Sequence, residues 1–188
     1  MAQTSNEIKV LTRDVSCTAI PSGQDVTLFK GTEVRITQSL GGTFTVVTHQ
    51  GAMASIQGKD ADALGKEIPA DAREDALAPG GVPDAKFVEE RVWAKLKTCY
   101  DPEIPHNIVD LGLVYECKIT PLAAPEHRVD VKMTLTAPGC GMGDYLRRDA
   151  EKKILTIPGV KECAVEVVFD PPWNPNKMNP ALRRELFF

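Results

Sequence analysis

Val129-Asp130-Val131-Lys132-Met133-Thr134-Leu135-Thr136-Ala137-Pro138-Gly139-Cys140-Gly141-Met142-Gly143-Asp144 is the stretch on which the reading of this chain turns. Val129, Val131, Met133 and Leu135 alternate with Asp130, Lys132, Thr134 and Thr136, the period of a strand with one buried face. Pro138 and Gly139 end that run and turn the chain. Beyond them Leu146, Ala150 and Ile154 recur at helical spacing, with Arg147, Arg148, Lys152 and Lys153 off the stripe. A strand, a glycine-rich turn and a helix therefore meet at Cys140. A thiol at such a junction sits among free backbone N–H groups at the positive end of a helix dipole. That setting favours the thiolate, the form that attacks electrophiles and binds soft metals. Asp144 is placed to cap the same N–H groups. The plainer alternative is a turn that happens to hold a cysteine, since free cysteines are usually buried and inert. The three glycines that leave the sulfur unshielded favour the reactive reading.

The flanking segments extend the pattern in both directions. Upstream, Leu113, Tyr115, Cys117 and Ile119 alternate, and the loop Pro121 to Glu126 joins them to the first strand as an antiparallel pair. Before that, Val88, Val92, Leu96 and Cys99 form a helical stripe that Asp84 can cap. Two prolines in Asp101-Pro102-Glu103-Ile104-Pro105 must end this helix. Downstream, Thr156-Ile157-Pro158-Gly159 stops the second helix, and Val165, Val167 and Phe169 mark a third strand. Asp170-Pro171-Pro172-Trp173-Asn174-Pro175 is a rigid exit, and Pro180 to Phe188 forms a last helical turn. The order α-β-β-α-β over residues 85–188 predicts an α/β domain, an α+β sandwich with helices on one face of a three-stranded sheet. Cys99 and Cys117 fall on its apolar faces and read as packing residues.

Residues 1–65 carry short strands punctuated by turns, such as Val34-Arg35-Ile36-Thr37, Gly41-Gly42 and Phe44-Thr45-Val46-Val47-Thr48. They predict a small all-β SH3-like barrel. Residues 66–84 read as an acidic Pro/Gly linker with one helical turn at 70–77.

Composition narrows the function classes. The 188 residues are 43% hydrophobic and 26% charged, as in a soluble globular protein, and the net charge of −4 does not suggest a nucleic-acid binder. Five cysteines without a close pair predict neither a disulfide framework nor a zinc site built from this chain alone. The first residues lack a signal core and no apolar run reaches the length of a membrane span, so a cytoplasmic protein without membrane association is expected. A second candidate cluster is Asp101, Glu103 and His106, two carboxylates and an imidazole in a proline-stiffened loop. Helix termination with solvated charges explains that loop equally well.

Asp101-Pro102-Glu103-Ile104-Pro105, Asn107-Ile108-Val109-Asp110-Leu111-Gly112-Leu113-Val114, Met133-Thr134-Leu135-Thr136, Pro138-Gly139-Cys140, Ile157-Pro158-Gly159-Val160 and Phe169-Asp170-Pro171-Pro172-Trp173 together resemble the PaaD-like metal–sulfur cluster assembly factor family. The resemblance covers about Lys86 to Phe188. A β-rich extension before such a domain is similar to the SufT type of bacterial SUF systems. The resemblance implies a non-enzymatic factor in iron–sulfur protein maturation. It carries the family's cluster-associated cysteine to Cys140 and its acidic pair to Asp101 and Glu103. Its cofactor would be an iron–sulfur cluster or iron, held transiently. Its partners would be iron–sulfur scaffold or carrier proteins and apo-protein clients. One cysteine cannot complete four-thiolate ligation. The missing ligands then come from Glu103, Asp101 or His106, from a partner or small thiol, or from a second copy in a homodimer. Many members have proline after the cysteine, where Gly141 stands here.

Two other readings remain at this point. Cys140 as a nucleophile with His106 as its base would make a thiol enzyme. A KH-like RNA-binding module shares the small α/β layout, but no GxxG spacing occurs in Gly139-Cys140-Gly141-Met142-Gly143.

Overall fold

The computed structural model describes residues 7–68, 82–101, 105–137, 139 and 141–187. The chain divides into two compact units, an N-terminal one and a C-terminal one that holds the helices. The helical turn expected at 70–77 lies outside the described residues. Among those described, no helix is long and apolar enough to cross a membrane.

The N-terminal unit contains six strands: β1 (Glu7–Val10), β2 (Val15–Ile20), β3 (Asp25–Leu28), β4 (Glu33–Leu40), β5 (Thr43–Thr48) and β6 (Met53–Gln57). They form one antiparallel sheet in the order β1-β4-β5-β6-β2-β3. Leu40 pairs with Thr43, so β4 and β5 are joined by Gly41-Gly42 alone. Both glycines have positive φ, 57° and 69°, the geometry that a two-residue hairpin turn demands. One face buries Val15, Cys17, Val34, Ile36, Phe44, Val46 and Ile56 together with Leu11. A 3-10 stretch, Gly58–Leu64, closes over this core with Ala61, Ala63 and Leu64. The Arg13 guanidinium clasps the Asp62 carboxylate with bonds of 2.7 and 2.6 Å, which ties the β1–β2 turn to that stretch.

Among the described residues the expected SH3-like barrel is not what forms: the sheet is open, with β1 paired only to β4 and β3 only to β2. Each has only four residues, and the chain leaves β3 through a turn into β4 before it can lie along β1. The Leu11 N–H donates to Thr32 O at 3.0 Å and Leu11 O accepts from Gly31 N at 2.8 Å, which carries the β1–β4 pairing past Val10 and Glu33. Alternation in sequence specifies which face of a strand is buried, not whether the outermost strands meet.

The C-terminal unit runs α1 (Ala85–Leu96), β7 (Val114–Pro121), β8 (His127–Met133), α2 (Gly143–Leu155), β9 (Val160–Val167) and α3 (Pro180–Phe187). Asp84 caps α1 as expected, accepting the Phe87 N–H at 2.7 Å. Its sheet has the order β7-β8-β9, with β7 antiparallel and β9 parallel to β8. A parallel pair needs a crossover connection, which α2 supplies. Val88, Val92 and Leu96 of α1 and Leu146, Ala150 and Ile154 of α2 are fully buried, as are Val129, Val131 and Met133 of β8. The opposite sheet face is charged and paired across strands, with Lys132 on Glu116 at 3.0 Å and Arg128 on Glu162 at 3.3 Å. The two-layer α+β sandwich inferred from the periodicity is the architecture present.

The chain after β9 is tied to the segment before β7. Trp173 Nε1 donates to Leu111 O and the Tyr115 hydroxyl to Pro171 O, both at 2.9 Å. The Lys177 ammonium lies 4.2 Å from the Tyr115 ring centroid. Gly112, at φ 67°, leaves its missing Cβ position to the Lys177 backbone carbonyl. Gly112→Ala therefore meets both a left-handed backbone and an occupied site. We expect it to destabilise the C-terminal unit by at least about 2 kcal/mol in urea unfolding, whereas a tolerated substitution would show that the tail can be displaced freely.

Candidate functional site

The loop from Asp101 to His106 is held at its base. Tyr100 bridges to Asn107, and the Ile108 N–H donates to Cys99 O at 2.9 Å. On the far side, the Asn107 carboxamide oxygen accepts the Val109 and Asp110 N–H groups at 3.1 and 2.9 Å, a turn that asparagine forms from its own side chain. Its amide donates to the Asp110 carboxylate at 2.6 Å. Asp110 O in turn accepts the Asn179 N–H at 2.8 Å, linking this corner to the start of α3. Asp101 is buried and His106 half-buried on the loop. Glu103 lies outside the described residues.

Cys140 also lies outside the described residues, but what flanks it is defined. Leu135 continues β8 into the core, and a Cβ on Gly143 would come within 2.8 Å of its Cδ1, so the first turn of α2 rests directly on the strand end. Thr134 is fully buried and its hydroxyl has no hydrogen-bond partner among the described residues. A Cβ on Gly141 would meet nothing within 4 Å among the described residues. The expected cap is not made: Met142 occupies the N-cap of α2 without a side-chain bond. Asp144 instead sits in the first turn, its carboxylate 3.9 Å from Arg147. An aspartate one residue inside the helix serves the dipole without reaching back to the first N–H groups.

None of the other four cysteines is fully exposed. Cys17 and Cys99 are buried, and Cys117 and Cys163 are half-buried. Burial pushes the Cys117 thiol up to about 11, helped by the charge of Glu89. Burial likewise pushes Cys163 up to about 12, with Glu151 and Asp130 adding to it. Cys99 is raised further still, again chiefly by burial. For these three the surroundings favour the neutral thiol over the thiolate. Among the described residues, no three His, Cys, Asp or Glu side chains are grouped so as to hold a metal ion.

Sequence reading missed two buried polar residues here. Lys153 was expected off the apolar stripe of α2, yet it is 7% exposed and paired with Asp149, itself 3% exposed. Their i, i+4 spacing beside Leu146, Ala150 and Ile154 was the available signal. His127 begins β8 directly after the Pro121–Glu126 loop and is buried, its Nδ1 unpartnered among the described residues.

Residues 89–167 match the sequence profile described as iron-sulfur cluster assembly protein. An Fe-S protein maturation auxiliary factor of Porphyromonas gingivalis is 39% identical over 100 residues, which take in 53% of this chain and 91% of that protein. The factor YitW of Bacillus subtilis, described in the same words, is 32% identical over 49% of this chain and 86% of its own length. The factor SufT of Staphylococcus aureus is 35% identical over 42% of this chain and 85% of its own length. The profile begins within α1, so the N-terminal sheet is additional to what it describes. By the extent of these matches, the chain belongs to the iron–sulfur cluster assembly protein family.

Proposed function

We propose that this protein is a maturation factor for iron–sulfur proteins that holds iron or a cluster transiently on the Cys140 thiolate and passes it to apo-proteins. The observation that carries this reading is the placement of the described cysteines. Cys99, Cys117 and Cys163 have thiols raised by burial, and Cys17 is enclosed in the core of the N-terminal sheet. Ligation by thiolate then falls to Cys140, in the loop between β8 and α2. The names of the relatives support the assignment to maturation.

A single thiolate leaves the cargo incompletely ligated, which suits transfer because a closed four-cysteine site would retain it. Asp101, Glu103 and His106 are the hard-ligand candidates from this chain. A scaffold or carrier protein, an apo-protein client or a second copy of this chain supplies the rest. The direction of exchange follows from thiol competition: the client's complete ligand set outbids one cysteine and a borrowed set.

Two measurements test this. Anaerobic reconstitution with iron and sulfide is expected to load the parent protein and fail with Cys140→Ser. Equal loading of the two would remove Cys140 from the mechanism. Separately, iodoacetamide at pH 7.5 is expected to modify native protein at Cys140 only. The raised thiols stay protonated below about pH 11, so alkylation of Cys117 and Cys163 should begin only as pH climbs towards that value or after denaturation. Rapid native labelling of Cys117 or Cys163 at pH 7.5 would contradict the burial argument.

A further inference from the structure

β9 lies at the edge of the C-terminal sheet and, among the described residues, pairs with β8 alone. From Glu162 to Val167 that pairing is regular. The Val168 N–H donates to Met133 O at 2.8 Å. Successive strand residues turn their backbone groups to opposite sides, so Glu162, Ala164 and Glu166 face β8 with theirs. Cys163, Val165 and Val167 then aim their N–H and C=O groups away from the sheet, a row of donors and acceptors open to another strand. The other edges are blunted. β1 and β3 have four residues each. β7 is bulged at Tyr115, ends on Pro121, and is tied to the tail through the Tyr115 hydroxyl on Pro171 O.

The side chains of β9 sort by face. Val165 is buried on the helix side, with Cys163 and Val167 half-buried beside it. On the opposite face Glu162, Ala164 and Glu166 are exposed. Ala164 and Glu166 line a shallow hollow there with Asp130 and Lys132. A second copy laid antiparallel along β9 puts Glu162 opposite Glu166, or brings one of them beside its own counterpart, and like charges across strands repel.

We propose that the β9 edge takes up an extended segment of a partner protein by strand addition. The segment carries lysine or arginine at two positions spaced as Glu162 and Glu166 are, to meet these carboxylates. Its other face is apolar and lies beside Cys163 and Val167. Main-chain bonds to Cys163, Val165 and Val167 supply the affinity, and the two carboxylates select the sequence. The surface shares no residue with the proposed cargo site.

The test uses the full chain with two end-blocked synthetic peptides. One reads lysine-valine-threonine-valine-lysine, and the other has glutamate in place of lysine. Binding is read by NMR titration and by amide hydrogen exchange. The lysine peptide should bind at least about tenfold more tightly than the glutamate peptide. It should slow exchange of the Cys163, Val165 and Val167 amides and leave those of Ala164 and Glu166, already turned to β8, unchanged. Cys163→Pro removes one outward donor, a change that an edge strand tolerates, and should weaken lysine-peptide binding about tenfold at a near-parental thermal midpoint. Glu162→Lys/Glu166→Lys leaves the β9 backbone intact and should reverse the preference between the peptides. Absence of binding at millimolar lysine peptide would overturn the inference. Binding that leaves the three outward amides unprotected would show adsorption by charge alone and overturn it too, as would an unchanged preference in the charge-reversed variant. A dimer of the parent that is lost in Cys163→Pro would assign the edge to a second copy, with the same consequence. Should Cys163→Pro unfold, the exchange pattern and the charge-reversed variant decide.

Discussion

Parallel pairing of β8 with β9 is the constraint from which the C-terminal unit follows. Two parallel strands side by side cannot be joined by a hairpin, so the chain must leave the end of β8, cross the sheet and return. α2 is that crossing, and its apolar stripe of Leu146, Ala150 and Ile154 holds it to the sheet. The strand end and the helix start are thereby forced into one short loop, which contains Cys140. Close packing of Gly143 on Leu135 keeps the loop short, since any side chain there would push the helix off the strand.

The second loop depends on polar anchors rather than apolar burial. Its entry is gripped by Lys153 through Thr98 O, and its exit by the Asn107 turn, with Asp110 linked onward to Asn179. Each anchor satisfies backbone groups that a short irregular segment would otherwise leave unpaired in a buried place. The motif residues from Asn107 to Gly112 serve these linkages, and Gly112 is there because the Lys177 carbonyl needs the space. The tail beyond β9 completes the same scaffold through Trp173 and Tyr115.

Against this rigid frame the cysteines sort themselves by dielectric. Desolvation of Cys99, Cys117 and Cys163 penalises the thiolate, and nearby carboxylates reinforce the effect. The N-terminal sheet is a separate construction, with its own core and its own fork of Arg13 on Asp62.

Periodicity alone determined the order of helices and strands from Asp84 to Val167, the cap on α1, and the packing character of Cys99 and Cys117, because these depend on neighbours close in sequence. The motif from Asp101 to Trp173 determined the family, and it singled out Cys140. Tertiary structure decided what local sequence leaves open. It set whether β1 and β3 meet, which is a matter of sheet curvature and strand length. It buried Lys153 and His127, whose polarity alone suggested solvent. It placed Asp144 in the first turn, two residues past the N-cap Met142. For the two buried residues the deciding partners lie far along the chain: Thr98 for Lys153 and Gly159 for His127. A sequence states its short-range preferences directly, whereas long-range contacts are chosen only when the whole fold competes for the same space and the same hydrogen bonds.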